Sequence, residues 1–360
     1  MPALDATSET RFTSGVRALL REVGWSTDLA VEPEGERPEP VGVDVVVEVE
    51  ACGVCGRDCL DRAGRFAFVR VPITPGHEAV GRVVAVGSEV TQWKVGQRVA
   101  TLHRDACGAC AACAAGETSL CVSAAAVLGL LVDGGYARWL TVPERALYAV
   151  PDDVDPALGA VLHCTVGTAW RGLTRAGVTA GARVLVTGAN GGVGAAAVEV
   201  ATRLGASAIA VVRRPEHGEL ALARGAAAVI VDDGRTFHKR LPGGPVDVAI
   251  DCVGAPTFNG ALRALGVGGR LVAVGNITGE RVELNVGYVI TYGLTILGSS
   301  GATRADMARV LALHAARPFD VPIHARLPLA EADRAQRLVA AGGLSGRVVL
   351  FPGAVTASPP

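Results

Sequence analysis

No stretch of about 18 or more apolar, uncharged residues occurs in this chain of 360 residues, so no membrane span is expected. A basic start followed by a short apolar run is also missing. Met1 to Arg11 carries Asp5 and Glu9 ahead of its first arginine, which argues against a signal peptide and for a cytoplasmic protein. There is no excess of either charge. The formal net charge is -1, which gives no reason to expect binding to nucleic acid or to an anionic membrane. No internal repeat and no low-complexity linker breaks the chain.

Hydrophobic residues at 50% and charged residues at 19% make a globular composition, and the length suits two domains. Residues 43–49, Val80 to Val86 and Arg98 to Leu102 read as short strands beside glycine turns, so the first part is expected to be β-rich. The pattern changes near Pro156. Ala157 to Leu173 is helix-capable. Strands are then expected at Arg183 to Thr187, Ile209 to Val212, Ala227 to Val231, Val246 to Cys252, Arg270 to Val274 and Leu294 to Leu297, with helical or turn segments between them. That alternation makes an α/β fold with a doubly wound parallel sheet. The tail returns to Pro and Gly breaks and ends in a strand at Arg347 to Leu350.

Gly188, Gly191, Gly192, Val193 and Gly194 lie between an expected strand and an expected helix. Such a loop lets a dinucleotide pyrophosphate approach free backbone N–H groups at a helix start. The next strand ends at Arg213 and Arg214, with no acid before Glu216 to take the ribose hydroxyls. Guanidinium groups suit a 2′-phosphate, so NADP(H) is expected over NAD(H).

The chain has nine cysteines. Cys107, Cys110, Cys113 and Cys121 fall in a run of little but Ala, Gly and Cys that cannot bury a core. Four closely spaced thiolates favour a closed, tetrahedral structural zinc over free thiols or an iron–sulfur centre. Cys55, His77 and Cys164 have the residue types of a catalytic zinc site, but their spacing alone does not join them.

Gly76-His77-Glu78, the four-cysteine lobe and the glycine loop together resemble the zinc-containing medium-chain dehydrogenase/reductase superfamily, from about Val43 to Leu350. That resemblance implies that Cys55, His77 and Cys164 hold a catalytic zinc, with Glu78 near the metal and Asp58 orienting His77. It implies a GroES-like catalytic domain over 1–156, completed by 316–360, around a Rossmann domain over 157–315. It also implies a homodimer or homotetramer, with the strand Leu294 to Leu297 as a pairing edge, and a hydride exchanged between nicotinamide and an alcohol or carbonyl substrate.

Narrower stretches point elsewhere. Cys55 to Asp58, Val161 to Gly177, Gly275-Asn276-Ile277 and Leu284 to Ile290 resemble archaeal acryloyl-CoA reductases, and that resemblance implies an NADPH-dependent reduction of an activated C=C bond. Asn276 thereby joins the expected cofactor residues. Alcohol dehydrogenases of the superfamily carry Ser or Thr two residues after the first zinc cysteine, often with His three residues later. This chain has Arg57 and Leu60 there. Neither relays a proton, which leaves His163 and Thr165 as the nearest substitutes in sequence. A non-catalytic nucleotide-binding protein is a third possibility, disfavoured by the intact ligand set with Asp58 behind it.

Overall fold

The computed structural model describes residues 15–123 and 126–353. Met1 to Arg11, on which the expectation about a leader rests, lies outside them, as does the end of the 316–360 tail. No helix among the described residues is long and apolar enough to cross a membrane.

Two sheets organise the chain. One has six strands in the spatial order Ala228–Val231, Ser207–Val212, Arg183–Thr187, Val246–Asp251, Leu265–Ala273 and Thr295–Gly298. Every neighbouring pair in it is parallel. This is the 3-2-1-4-5-6 order of a Rossmann sheet, with its switch point between the first and fourth strands. Val184, Leu185, Val186, Val248, Ala249 and Ile250 are fully or almost fully buried, as a sheet covered on both faces demands.

The other sheet is mixed and GroES-like. Its long central strand Asp44–Val54 pairs antiparallel with Glu78–Val86 on one side. On the other side Arg347–Phe351 pairs with it antiparallel, and Ile323–Pro328 adds to Arg347–Phe351 in parallel. The tail strand Arg347–Phe351 therefore sits beside the segment that leads into Cys55. Register places Gly53 opposite Glu78 and Val348 opposite Val54.

The stretch expected as one helix from 157 to 173 is three pieces. Pro156–Val161 is α-helical, His163–Gly167 is a π-helical turn, and Thr168–Arg175 is α-helical again. The π turn carries Cys164.

Candidate metal and cofactor site

Cys55 stands in extended conformation just ahead of the helix Gly56–Arg62. Asp58 accepts the Cys55 backbone N–H at 2.9 Å, which caps that helix, and its other oxygen lies 2.9 Å from His77 Nδ1. The Tyr136 hydroxyl donates to Asp58 at 3.1 Å. One buried carboxylate thus fixes both the entry of Cys55 and the ring of His77, leaving Nε2 to face Cys164 Sγ at 3.7 Å. Cys55 Sγ and Cys164 Sγ are 3.9 Å apart. Ligand atoms of Cys55, His77, Glu78 and Cys164 all lie within 4.8 Å of one another. Glu78 Oε1 is 3.7 Å from His77 Nε2.

The Cys164 thiol draws Cys55 well below the usual thiol range, against the effect of burial. The same contact, followed by burial, pushes Cys164 up. Burial and Arg57 work against a charged His77, and Asp58 with Cys55 outweighs them, so its pKa is raised. Two sulfurs and one imidazole, converging in a buried place with a carboxylate behind the imidazole, suit a zinc ion with an open position.

The second cluster is the lobe. Sulfur atoms of Cys107, Cys110, Cys113 and Cys121 also lie within 4.8 Å of one another. Cys107–Cys113 and Cys110–Cys121 are each 3.9 Å apart. Backbone N–H groups of Ala109 and Cys110 donate to Cys107 Sγ, and that of Cys107 to Cys121 Sγ. Such donors stabilise thiolates, and Cys110 is drawn down to about 6 by backbone N–H groups of Cys113 and Val122. Burial pushes Cys113 up to about 12 in the absence of a metal, and four sulfur ligands on a tetrahedral ion would leave no open position. Arg171 ties the lobe to the parallel-sheet part, pairing with Glu117 on one side and with Asp306 at 2.8 Å on the other.

Gly188 has φ +59, and a Cβ on Gly194 would run into the Gly188 carbonyl oxygen. Only glycine allows that turn. Gly191 precedes the helix Gly192–Arg203 without any side-chain cap, so its first N–H groups remain open to an anion. Val193 opens the helix beside Gly192. Asn276 follows the strand Leu265–Ala273, beside Gly254, at the same carboxyl end of the parallel strands as the glycine loop.

Arg347 escaped the sequence reading. A Cβ on Gly192 would strike its side chain, and its guanidinium pairs with Glu78. It therefore spans from the glycine loop to the metal cluster. Only the pairing of the tail strand beside Val54 brings it there. Tyr136 was also missed.

The expected proton relays are otherwise engaged. Thr165 donates its hydroxyl to Val161 O at 2.7 Å, and His163 Nε2 lies 3.1 Å from Ala302 O. Burial brings His163 down to about 4. Arg57 donates to Leu128 O at 2.6 Å and lies 3.2 Å from Asp61 Oδ2, while burial raises Asp61 to about 7.

Residues 42–152 match the alcohol dehydrogenase GroES-like domain family, and residues 192–316 match the zinc-binding dehydrogenase family. An acryloyl-coenzyme A reductase of Metallosphaera sedula is 33% identical over 318 residues, 88% of this chain and 95% of that protein. The chain belongs to the zinc-containing medium-chain dehydrogenase/reductase superfamily. It has the zinc-binding, NAD(P)H-linked oxidoreductase fold of that superfamily. The crystal structure of AibC is similar at 37% identity and a TM-score of 0.85, covering 97% of this chain and 99% of the other. An NAD-dependent alcohol dehydrogenase is similar at 29% identity and a TM-score of 0.87, covering 94% and 100%.

These likenesses overturn the expectation of NADP(H) over NAD(H). Besides that NAD-dependent enzyme, an acetophenone reductase of Geotrichum candidum is in complex with NAD, at 25% identity, a TM-score of 0.82 and coverage of 94% and 97%. A zinc-binding dehydrogenase of Sinorhizobium meliloti is bound to NADP, whereas an NAD-dependent alcohol dehydrogenase of Saccharolobus solfataricus, 31% identical over 88% of this chain and 94% of that protein, stands with the two NAD structures. The physical reason is visible at Arg213 and Arg214. Both are exposed, and Arg214 has Glu216 at 3.9 Å. Solvated arginines supply charge without a fixed cradle for a 2′-phosphate.

Proposed function

We propose that this chain is a zinc-dependent, NAD(H)-linked reductase of an activated C=C bond in an enoyl thioester, in preference to an alcohol dehydrogenase. Arg57 carries the reading. It stands where an alcohol relay needs a hydroxyl, and it is committed to Leu128 O and Asp61. The proposed substitutes Thr165 and His163 are bonded to Val161 and Ala302. Oxidising an alcohol releases a proton inside a closed site, which needs a relay. Reducing an enoyl thioester does not form an alcohol. The similarity to acryloyl-coenzyme A reductases of Metallosphaera sedula and Sulfurisphaera tokodaii supports the same choice.

In this reading Cys55, His77 and Cys164 hold the catalytic zinc, and Asp58 holds His77 in the tautomer that offers Nε2. Zinc supplies a Lewis acid for a carbonyl oxygen, and the reduced nicotinamide supplies hydride. The substrate's β carbon gains the hydride, the double-bond electrons move toward the carbonyl oxygen, and as they return to form the α C–H bond the α carbon takes its proton from solvent water, which is left as hydroxide. Gly188, Gly191, Gly192, Val193 and Gly194, with Asn276 near, seat the dinucleotide. Arg347 backs the loop and neutralises Glu78. The catalytic unit is 1–156 completed by 316–360, around 157–315. This division is supported by which strands join which sheet. The edge strand Thr295–Gly298, with its exposed Ile296 and the exposed Val286 and Ile290 in the helix before it, supports pairing with a second copy, which sedimentation would read.

With NADH, kcat/KM for acryloyl- or crotonyl-CoA is expected to exceed that for alcohols with NAD+ by about 10²-fold or more, the scale of a missing proton-transfer group. Thr165→Val stays within a few-fold on the thioester. Dominant alcohol oxidation that drops about 10²-fold in Thr165→Val would reverse the assignment.

Cys107, Cys110, Cys113 and Cys121 hold a second, structural zinc in this reading. Cys110→Ser is expected to lose one of the two zinc ions and to lower the thermal midpoint by about 5 °C or more. Full zinc content in that variant, read by metal analysis, contradicts the assignment.

A further inference from the structure

Beyond the metal site, the segment from Ala63 to His77 contains Arg65 and Arg70 and no acidic residue. Both arginines are exposed, and neither meets a carboxylate among the described residues. Phe66 and Phe68 lie between them in sequence, with ring centroids 5.6 Å apart, and Phe68 is 58% exposed. An exposed ring beside a half-buried one, flanked by guanidinium groups without carboxylate partners, suits a flat, anionic ligand.

The backbone fixes where this segment lies. The Arg70 N–H donates to Leu130 O at 3.0 Å. Two residues away, Leu128 O accepts from Arg57, itself two residues from Cys55. A strip from Leu128 to Leu130 thus leads from the metal cluster outward to Arg70. On its other side, Arg65 lies against Gly279, with Cδ 3.6 Å from where a Cβ there would stand. Gly279 is in the loop that leaves the parallel sheet after Leu265–Ala273. Elements of both sheets therefore meet at this rim, on the side of Cys55. The glycine loop is tied instead to the tail, through Asn190 to Leu344 O at 2.8 Å.

We propose that the rim segment Arg65–Arg70 binds the nucleotide end of a coenzyme A thioester. Arg65 and Arg70 take its phosphates, and Phe66 and Phe68 take its adenine. The acyl end then lies toward Arg57 and the metal cluster. The proposal rests on the enoyl-thioester reading and adds the carrier to it. Guanidinium groups match phosphate oxygens in paired hydrogen bonds, and an aromatic face accepts a purine without reading its edge.

The test uses the zinc-loaded full chain with NADH. KM is measured for crotonyl-CoA and for the crotonyl thioester of N-acetylcysteamine, which lacks the nucleotide. Adenosine 3′,5′-bisphosphate is added as a competitor. The native enzyme is expected to show a KM for crotonyl-CoA about tenfold or more below that for the truncated thioester. Adenosine 3′,5′-bisphosphate competes with crotonyl-CoA and not with NADH. Arg65→Ala with Arg70→Ala brings the two KM values together, with kcat for crotonyl-CoA within about twofold, because only carrier binding is lost. The double Lys variant, which keeps the charge, recovers most of the difference and guards against a folding artefact. Equal KM values in the native enzyme overturn the carrier site and leave the enoyl reading standing. Competition against NADH assigns the phosphates to the cofactor and also overturns it. If neither thioester is reduced, the enoyl reading falls and the carrier site falls with it.

Discussion

Asp58→Asn is expected to weaken metal retention at Cys55, His77 and Cys164 by about 10–100-fold, while the Cys107–Cys121 lobe keeps its own ion. The reason is the number of tasks one carboxylate performs. It takes the Cys55 N–H at 2.9 Å, faces His77 Nδ1 at 2.9 Å and accepts from Tyr136 at 3.1 Å. All three contacts bring protons toward Asp58. An asparagine amide has one oxygen and one NH₂ group, so at least one donor would face another donor. The negative charge that makes the His77 ring a better ligand also disappears. The surroundings are buried, with Asp58 and His77 each 2% exposed, so water does not repair the loss cheaply. Zinc stoichiometry after dialysis against a weak chelator is the measurement. Two ions per chain in the native protein and one in the variant is the expected result. An unchanged content would mean that Asp58 serves only to cap the helix Gly56–Arg62.

Parts of this arrangement were readable in the chain and parts were not, for physical reasons. Strands such as Arg183–Thr187 are short, apolar and bounded by glycine, and a sheet buried on both faces leaves that mark. Leu265–Ala273 was expected only from Arg270, because Gly266, Gly268 and Gly269 interrupt its pattern. The strands Val16–Leu19, Ala30–Pro33 and Trp139–Pro143 went unread, being short and interrupted by polar residues, and Leu147–Ala149 because it is only three residues long. The π turn at His163–Gly167 has no composition of its own, so Cys164 looked like a residue inside a plain helix.

The two metal clusters differ in the same way. The lobe is local, with four cysteines inside 15 residues, and spacing alone made it readable. Cys55, His77 and Cys164 come together only through tertiary pairing and through resemblance to a known family. Arg213 and Arg214 show the opposite hazard, since residue type suggested a phosphate site and exposure leaves the charge solvated. Arg347 was invisible because nothing in the chain links position 347 to position 78. The link is a strand register, Val348 opposite Val54 and Gly53 opposite Glu78.

Arg347→Met is therefore expected to destabilise the chain heavily, by about 3–5 kcal/mol. Glu78 is fully buried, Arg347 is 8% exposed, and Glu78 Oε2 already lacks any hydrogen-bond partner among the described residues. Removing the guanidinium leaves the buried carboxylate without the arginine that pairs with it, beside a metal site whose charge Cys55 and Cys164 already take up. Adding Glu78→Gln removes that stranded charge, so the double variant should recover most of the loss. The cycle of native, two single variants and double variant isolates the pair. A second readout separates stability from cofactor binding. Arg347 also packs against Gly192, where the open N–H groups of the helix Gly192–Arg203 await an anion. Its loss should raise KM for NADH about tenfold or more, and Glu78→Gln should not restore that, because the missing contact is on the cofactor side. Denaturant midpoints of the zinc-loaded chains and KM for NADH are the two measurements. If Arg347→Met costs less than about 1 kcal/mol, or the double variant is no more stable than the single, the pair does not neutralise Glu78. If Glu78→Gln restores KM along with stability, Arg347 acts on the cofactor only through the carboxylate.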